Sequence, residues 1–216
     1  MKTQAFLSKL GKILLFLIIN IFNFRIADVA LNYINPTFQE PFLLNRVHLA
    51  DHVLFKTGLV LHGISACLAL FICSLLVLFR IEKMNTLFHR LLGKTALYLI
   101  FLVVVPGGIV LSYFASGGKI GKFLFFTLAL YTFSIAFLAM KKAKSKQIHQ
   151  HQLLMKELLC ILCSAIILRI LLVVFAQTTK MSWESAYQLA IAISWLPTSI
   201  LFLFLKTRTI YNQKHN

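Results

Sequence analysis

The chain has 216 residues, of which 59% are hydrophobic and 13% are charged, and its mean hydropathy is +0.84. Soluble domains have about 45–50% apolar and about 25% charged residues, so this composition excludes an ordinary soluble enzyme and indicates an integral membrane protein. The formal net charge of +16 would suggest nucleic acid binding in a soluble chain, but here the basic residues lie between apolar segments. Basic residues in that position are typical of loops that face anionic lipid. We therefore expect membrane lipid as a partner, and no nucleic acid.

Six apolar segments are long enough to cross a bilayer, which takes roughly 20 residues. They cover residues 13–31, 58–79, 91–114, 123–140, 153–175 and 187–205. The first has a lysine-rich start but no small-residue cleavage site after it, so it is predicted to remain as a helix. The longest linker, residues 32–56, is predicted to be an outer loop. The sequence thus predicts an all-α bundle of six transmembrane helices in a single membrane domain, residues 1–216.

Basic residues divide unevenly between the two sides of these segments. Fifteen lie on the side that holds both termini, six lie on the other side, and Arg169 lies within a segment. Because lysine and arginine are enriched in cytoplasmic loops, both termini are predicted to be cytoplasmic.

Histidines mark the predicted cytoplasmic ends of the third and fifth segments. His89 opens the third and His151 opens the fifth, so both are expected at one membrane depth. Two neutral imidazoles from facing helices are the usual axial ligands of a b-type haem in a helical bundle. Gly93, one turn after His89, would let a flat ring approach the backbone, and Arg90 and Lys94 would bind its propionates. The alternative is that both histidines are interfacial anchors whose polar tips reach water.

A second group of histidines, His48, His52 and His62, lies near the predicted outer end of the second segment. On one continuous helix the three would fall within about 80° of one another. With Asp51 they have the residue types and spacing of a zinc or copper site, or they would serve an outer haem. The alternative is that His48 and His52 are solvated and His62 is hydrogen-bonded within the bundle.

Arg169 is a charged residue inside an apolar segment. It follows His151 by 18 residues, roughly 27 Å along a helix, which predicts the outer half of the bilayer near the depth of His62. An arginine there costs at least about 2.5–3.5 kcal/mol on insertion scales. We therefore expect it to face the bundle interior and to bind an anionic group. The alternatives are that it extends outward to water or forms a structural pair with Asp28 or Glu184.

Glycine, proline and cysteine motifs give weaker signals. The segment from Pro106 to Gly108 predicts a kink in the third helix, with space for a ligand or for packing. Residues 117–122 lack the glycine spacing and the hydroxyl residue of a phosphate-binding loop, so they are interpreted as an outer turn. Cys160 and Cys163 lie within an apolar segment, as the other two cysteines do, and no disulfide framework is indicated.

Several of these residues recur together in a known family. In chain order they are His62, Arg80, His89-Arg90 with Gly93-Lys94, Gly107, Gly108, Gly117, Gly118, His151 with Met155, Leu168-Arg169 and Ser194-Trp195. From about residue 62 to 197 the chain resembles, on these elements, the bacterial membrane family catalogued as domain of unknown function 2306. The chain departs from that pattern at Leu154, where the family usually has tryptophan, and at Lys94 and Lys156, where it often has arginine.

The resemblance implies a multi-pass protein of the bacterial inner membrane and singles out His62, His89, His151 and Arg169. The family has no settled biochemical role, so the resemblance implies no substrate. At the level of the fold alone, the chain is also similar to the ascorbate-reducible b-type cytochromes, six-helix bundles that hold haem through histidine pairs on alternate helices. The third and fifth segments would supply one such pair, whereas the fourth has no histidine to pair with His62.

Three functions follow from these observations as alternatives. The first is electron transfer, linked to a quinone or a membrane complex, through one b-type haem held by His89 and His151. The second is a non-catalytic membrane protein that binds lipid or a partner complex, in which the polar residues stabilise the bundle. The third is a small-molecule transporter that uses the kinked third segment and Arg169, although six helices without repeats are unlike most transporter folds.

Overall fold

The structure is a computed structural model that describes residues 2–32, 49, 52–79 and 86–215, with side chains for residues 8–32, 49, 52–79 and 86–207. Nearly all of this described chain is helical, and no strand occurs in it. The helices are α1 (Lys2–Asn32), α2 (Val53–Phe79), α3 (Thr86–Tyr113), α4 (Gly118–Lys144), α5 (Ile148–Thr178) and α6 (Trp183–His215). All six are long and apolar enough to cross a membrane, which confirms the predicted all-α bundle of six spans.

The helices are longer than the apolar segments that predict them. The fifth segment covers residues 153–175, whereas α5 runs for 31 residues, roughly 46 Å. A hydrocarbon core is only about 30 Å thick. Apolar sequence therefore marks only the part of a helix that lies in hydrocarbon, while the helical hydrogen bonds continue through residues that have polar surroundings.

Contacts between helices divide the chain into two units, Met1–Phe114 and Ala115–Asn216. In the first unit α2 packs against both α1 and α3. In the second unit α4, α5 and α6 all pack against one another. The single domain predicted over residues 1–216 stays a prediction.

The middle of α3 is wound as a π-helix over Ile100–Val104, between α-helical segments Thr86–Leu99 and Val105–Tyr113. Pro106 follows directly, and a proline has no N–H to donate and clashes with the carbonyl four residues earlier. A π-helical turn accommodates such a break because it widens the helix locally. The structure thus has an irregular helix where the sequence predicts a kink.

A seam of buried polar side chains joins α1 to α2. The Asn23 amide donates to the carbonyl oxygen of Cys67 at 2.9 Å, and the Asn20 amide donates to the Ser74 hydroxyl at 3.2 Å. The three polar side chains are each at most 4% exposed. Because hydrocarbon offers no hydrogen-bond partner, such bonds favour the association of neighbouring helices.

The second unit begins with a glycine turn. Gly117 and Gly118 have φ angles of 88° and 60°, a region that is costly for residues with a Cβ. The Gln188 amide donates to the Gly117 carbonyl at 2.9 Å and so fixes the turn to α6. The structure has a turn where the sequence predicts one.

Candidate functional site

His62, a predicted cofactor or metal ligand, lies on α2 in the first unit. Its Nδ1 is 2.8 Å from the carbonyl oxygen of Val104, at the end of the π-helix. Because a carbonyl oxygen only accepts, Nδ1 carries the proton in this contact and the neutral ring keeps its lone pair on Nε2. Gly107 makes room for the ring, since a Cβ there would lie 2.9 Å from the Cβ of His62.

His151, the second predicted haem ligand, has the same arrangement in the second unit. Its Nδ1 is 2.9 Å from the carbonyl oxygen of Ala139 on α4, so the lone pair again lies on Nε2. His151 is the fourth residue of α5 and is half-buried, whereas the neighbouring His149 is exposed. His151 and His149 therefore have different surroundings, although they are only two positions apart in the sequence.

His89, the predicted partner of His151, is the fourth residue of α3 and is half-buried. Arg90 and Lys94 beside it are exposed. At Gly93, one turn later, an added Cβ would meet nothing within 4 Å, so the backbone there faces open space. The haem that His89 and His151 are predicted to share, and the parts predicted for Arg90, Gly93 and Lys94 in binding it, stay predictions.

The predicted outer metal site is only partly within the described residues. His52 is exposed, and its ring packs edge-on against Phe114 with 4.7 Å between ring centroids. His48 and Asp51 lie outside the described residues. Among the residues that the structure describes, no group of three or more histidine, cysteine or acidic side chains is placed to hold a metal ion. The site formed by His48, His52 and His62 stays a prediction.

Arg169 lies on α5 with its side chain exposed. Its Nη1 donates to the carbonyl oxygen of Ala165 at 2.8 Å. Helical side chains point towards the N-terminus of their helix, and this bond holds the guanidinium over the preceding turn. Its predicted position beside His62 and its predicted anionic partner stay predictions.

Glu157 on α5 forms a polar cluster that the sequence analysis missed. The side chain has no exposed surface. The Tyr131 hydroxyl on α4 donates to its Oε1 at 2.5 Å, and the Lys206 Nζ on α6 lies 2.5 Å from its Oε2. One carboxylate thus binds a side chain from each of the other two helices of the second unit.

The cluster continues along one face of α6. Trp195, Ser199 and Lys206 recur at helical spacing on that face, and the Trp195 ring lies 5.9 Å from the Tyr131 ring, measured between centroids. The Ser199 hydroxyl donates to the Trp195 carbonyl at 3.0 Å. The Trp195 Nε1 is buried and has no hydrogen-bond partner in the structure.

One sequence signal could have found this cluster. Glu157 is the only acidic residue between 153 and 175, the fifth apolar segment, and an ionisable side chain inside a membrane span usually marks a functional position. Its partners carry no comparable signal, because Tyr131 is an ordinary aromatic residue of a span and Lys206 belongs to a basic end.

The comparisons with known proteins bear on the same residues. The family model described as "Predicted membrane protein (DUF2306)" matches residues 59–205, more than half of the chain. The chain belongs to the DUF2306 family. The resemblance seen in the sequence is thereby confirmed, while no curated protein and no solved structure matches the chain.

The DUF2306 match separates the candidate residues into two sets. It includes all four residues that the resemblance singles out, and also Glu157, Tyr131 and Trp195. The whole of α1, with its asparagine seam, and His52 precede the match, and Lys206 follows it directly. The matched region therefore spans Glu157, Tyr131 and Trp195, whereas α1 lies outside it.

Proposed function

We propose that this DUF2306 protein is an electron-transfer protein of the bacterial inner membrane that holds one b-type haem through His89 and His151. The observation that carries the proposal is the bond from the His151 Nδ1 to the Ala139 carbonyl, 2.9 Å long. Histidines that bind a metal through Nε2 usually donate their other ring proton in this way, which fixes the tautomer and the ring orientation. His151 thus has the chemical form that an axial ligand requires.

The surroundings of His89 support the same proposal. The open space at Gly93 would admit a flat ring beside the backbone one turn from the histidine. The exposed cations Arg90 and Lys94 would bind the propionates of that ring, Arg90 by a two-pronged contact and Lys94 as a point charge. We also expect the cytoplasmic face to carry both termini, because fifteen of the basic residues lie on that side.

A bound haem would supply reversible one-electron chemistry, and the chain would supply its ligands, its charge balance and its apolar surroundings. Because the protein is a bundle of membrane spans, its electron donor or acceptor must reach it within or beside the bilayer. A quinone or a membrane-complex partner meets that requirement. His62, which repeats the Nδ1 bond of His151, and Arg169 are the further residues that we expect to contact such a ligand.

A second candidate function is non-catalytic binding of lipid or of a partner complex. The observation that favours it is the Glu157 cluster, in which side chains from all three helices of the second unit contact one another. In this case the histidines only anchor helix ends, and the polar residues stabilise a bundle whose surface does the binding.

An absorption spectrum of the detergent-purified protein from haem-replete cells decides between the two candidates. The electron-transfer proposal requires a Soret band that is lost in His89→Ala and in His151→Ala. The matched control is His149→Ala, which changes an exposed histidine two residues from His151 and should keep the band. A colourless parent protein would refute the haem proposal and favour the binding candidate.

A further inference from the structure

The Glu157 cluster contains a buried ion pair, which is an unfavourable way to hold helices together. Taking a carboxylate and an ammonium out of water costs more free energy than their attraction usually returns, and well-packed apolar side chains often stabilise as well or better. In a membrane the cost of an ionisable side chain is such that these residues usually serve function. Helix packing alone therefore does not explain why the cluster contains a buried ion pair.

The two charged partners differ in their freedom to move. Glu157 has no exposed surface, whereas the Lys206 side chain is 21% exposed and follows directly after the apolar segment 187–205. Lysine has a long flexible stem that lets its ammonium reach water from such a position. Lys206 can therefore leave the cluster, but Glu157 cannot.

If Lys206 leaves, the carboxylate must lose its charge, because a lone buried carboxylate is much less stable than a neutral acid. We propose that Glu157 is an intramembrane proton-binding site, at which a proton and the Lys206 ammonium are alternative partners of the carboxylate. The ligand is a proton taken from the aqueous phase at the Lys206 end. This inference does not depend on haem and goes beyond the proposed electron transfer.

The exchange balances in atoms and charge. On proton uptake an O–H bond forms at Oε2 of Glu157, and the contact between that oxygen and the Lys206 Nζ breaks. No covalent bond to carbon changes and no electron moves. The buried part of the cluster is neutral in both states, first as carboxylate plus ammonium and then as a carboxylic acid, with the lysine in water.

The groups that face Glu157 are compatible with this exchange. From α4 the Tyr131 hydroxyl bonds to Oε1 and can donate to that oxygen in either state. From α6 the facing charge is Lys206. On α5 itself the nearby titratable group is the thiol of Cys160, one turn further along. Among the described residues of the second unit, Lys206 is thus the cation that a proton would replace.

Infrared spectroscopy of the full chain in lipid nanodiscs tests the proposal directly. We expect a carboxylic acid C=O band to appear as the buffer is acidified within the range in which the protein stays folded, and to shift in D2O. The band should be missing in Glu157→Gln and present in Glu184→Gln, which makes the same change at an exposed glutamate. An acid-induced spectrum that is identical in Glu157→Gln and the parent would overturn the proposal.

Lys206→Met tests whether the two partners are alternatives and does not require Glu157→Gln to fold. Without the ammonium, the carboxyl group should hold its proton at neutral pH, where the parent shows no such band. Lys144→Met, a change at an exposed lysine, should behave as the parent. If Lys206→Met shows no acid band at neutral pH, the carboxylate does not exchange Lys206 for a proton and the proposal fails.

Discussion

His62 and Gly107 pack so closely that no side chain fits between α2 and α3 at this point. A Cβ on Gly107 would lie 2.9 Å from the Cβ of His62, well inside the separation of about 3.5–4.0 Å that carbon atoms in van der Waals contact prefer. The contact places the His62 ring against the π-helix of α3, where its Nδ1 reaches the Val104 carbonyl. The orientation of this histidine therefore depends on a glycine on another helix.

Gly107→Ala is expected to destabilise the first unit, because overpacking in a close-packed interior costs about 1–3 kcal/mol. The displaced ring should also lose its bond to Val104, which ring-nitrogen NMR of His62 would detect as a changed tautomer. Gly93→Ala is the matched control, since its Cβ would meet nothing within 4 Å and alanine favours helix by up to about 1 kcal/mol. Equal unfolding free energies for the two variants would contradict the packing argument.

The hydrogen bonds from Asn20 and Asn23 to α2 predict that Asn23→Ala weakens the packing of α1 against α2. The lost bond to the Cys67 carbonyl is expected to cost about 0.6 kcal/mol, the average for hydrogen bonds between membrane helices, and at most about 1.7 kcal/mol. Ile21→Ala removes a side chain that is 62% exposed and serves as the control on the same helix. Unfolding in a denaturing detergent measures both, and an equal loss in the two variants would show that the seam does not hold α1.

How far the sequence predicts the structure depends on the kind of residue. Long apolar runs predict all six spans, because helix formation in hydrocarbon is required of any chain that crosses it. Proline and glycine predict the irregular part of α3 and the turn at Gly117, since both residues act through their own backbone. The positions of His89 and His151 near the starts of their helices were also predictable, because each comes just before an apolar run.

Partners from different helices could not be predicted in the same way. The hydrogen bond from Asn23 to Cys67 depends on how α1 and α2 are rotated about their axes. An uncharged amide in a span does not indicate which residue of another helix it will bind. The same holds for Tyr131, whose bond to Glu157 depends on the register of α4 against α5. Local sequence determines which residues form a helix, whereas packing between helices determines which of its side chains are in contact.

Tyr131→Phe is expected to weaken the second unit. The change keeps the ring against Trp195 but removes the hydroxyl that donates to the buried Glu157 carboxylate. Hydrogen bonds to charged groups contribute about 1.5–3 kcal/mol, so the unfolding free energy should fall by roughly that amount. Tyr98→Phe removes the hydroxyl of a tyrosine that is 63% exposed and should leave the unfolding free energy unchanged. Similar losses in both variants would show that the bond from Tyr131 to Glu157 does not stabilise the second unit.

The orientation of the second unit can be tested by labelling intact cells. Because Tyr131 meets Glu157 and Ala139 meets His151, α4 and α5 run in opposite directions. Lys119 and Lys180 therefore lie at one end of this helix pair, and Lys144 lies at the other. Single cysteines at Lys119 and Lys180 should react with an impermeant thiol reagent from outside, and one at Lys144 should not, if both termini are cytoplasmic. Labelling of the cysteine at Lys144, but not of those at Lys119 and Lys180, would show the opposite topology.

Arg169 is a charged residue within the fifth apolar segment, residues 153–175. Its guanidinium is held over the turn at Ala165, towards the middle of α5, where a charge must have a partner or water. If the partner is structural and is Asp28, Arg169→Leu combined with Asp28→Leu should fold as well as the parent and keep its activity and bound ligand, because no charge is left alone.

If the partner is instead an anionic ligand, the double variant should fold but lose the quinone or lipid that co-purifies with the parent, as measured by mass spectrometry. Arg169→Lys then separates charge from geometry, because lysine keeps the charge but not the planar fork of donors. Retention of the ligand in Arg169→Lys would assign the binding to charge alone. An experimental structure in which Arg169 contacts only lipid chains would exclude both partners.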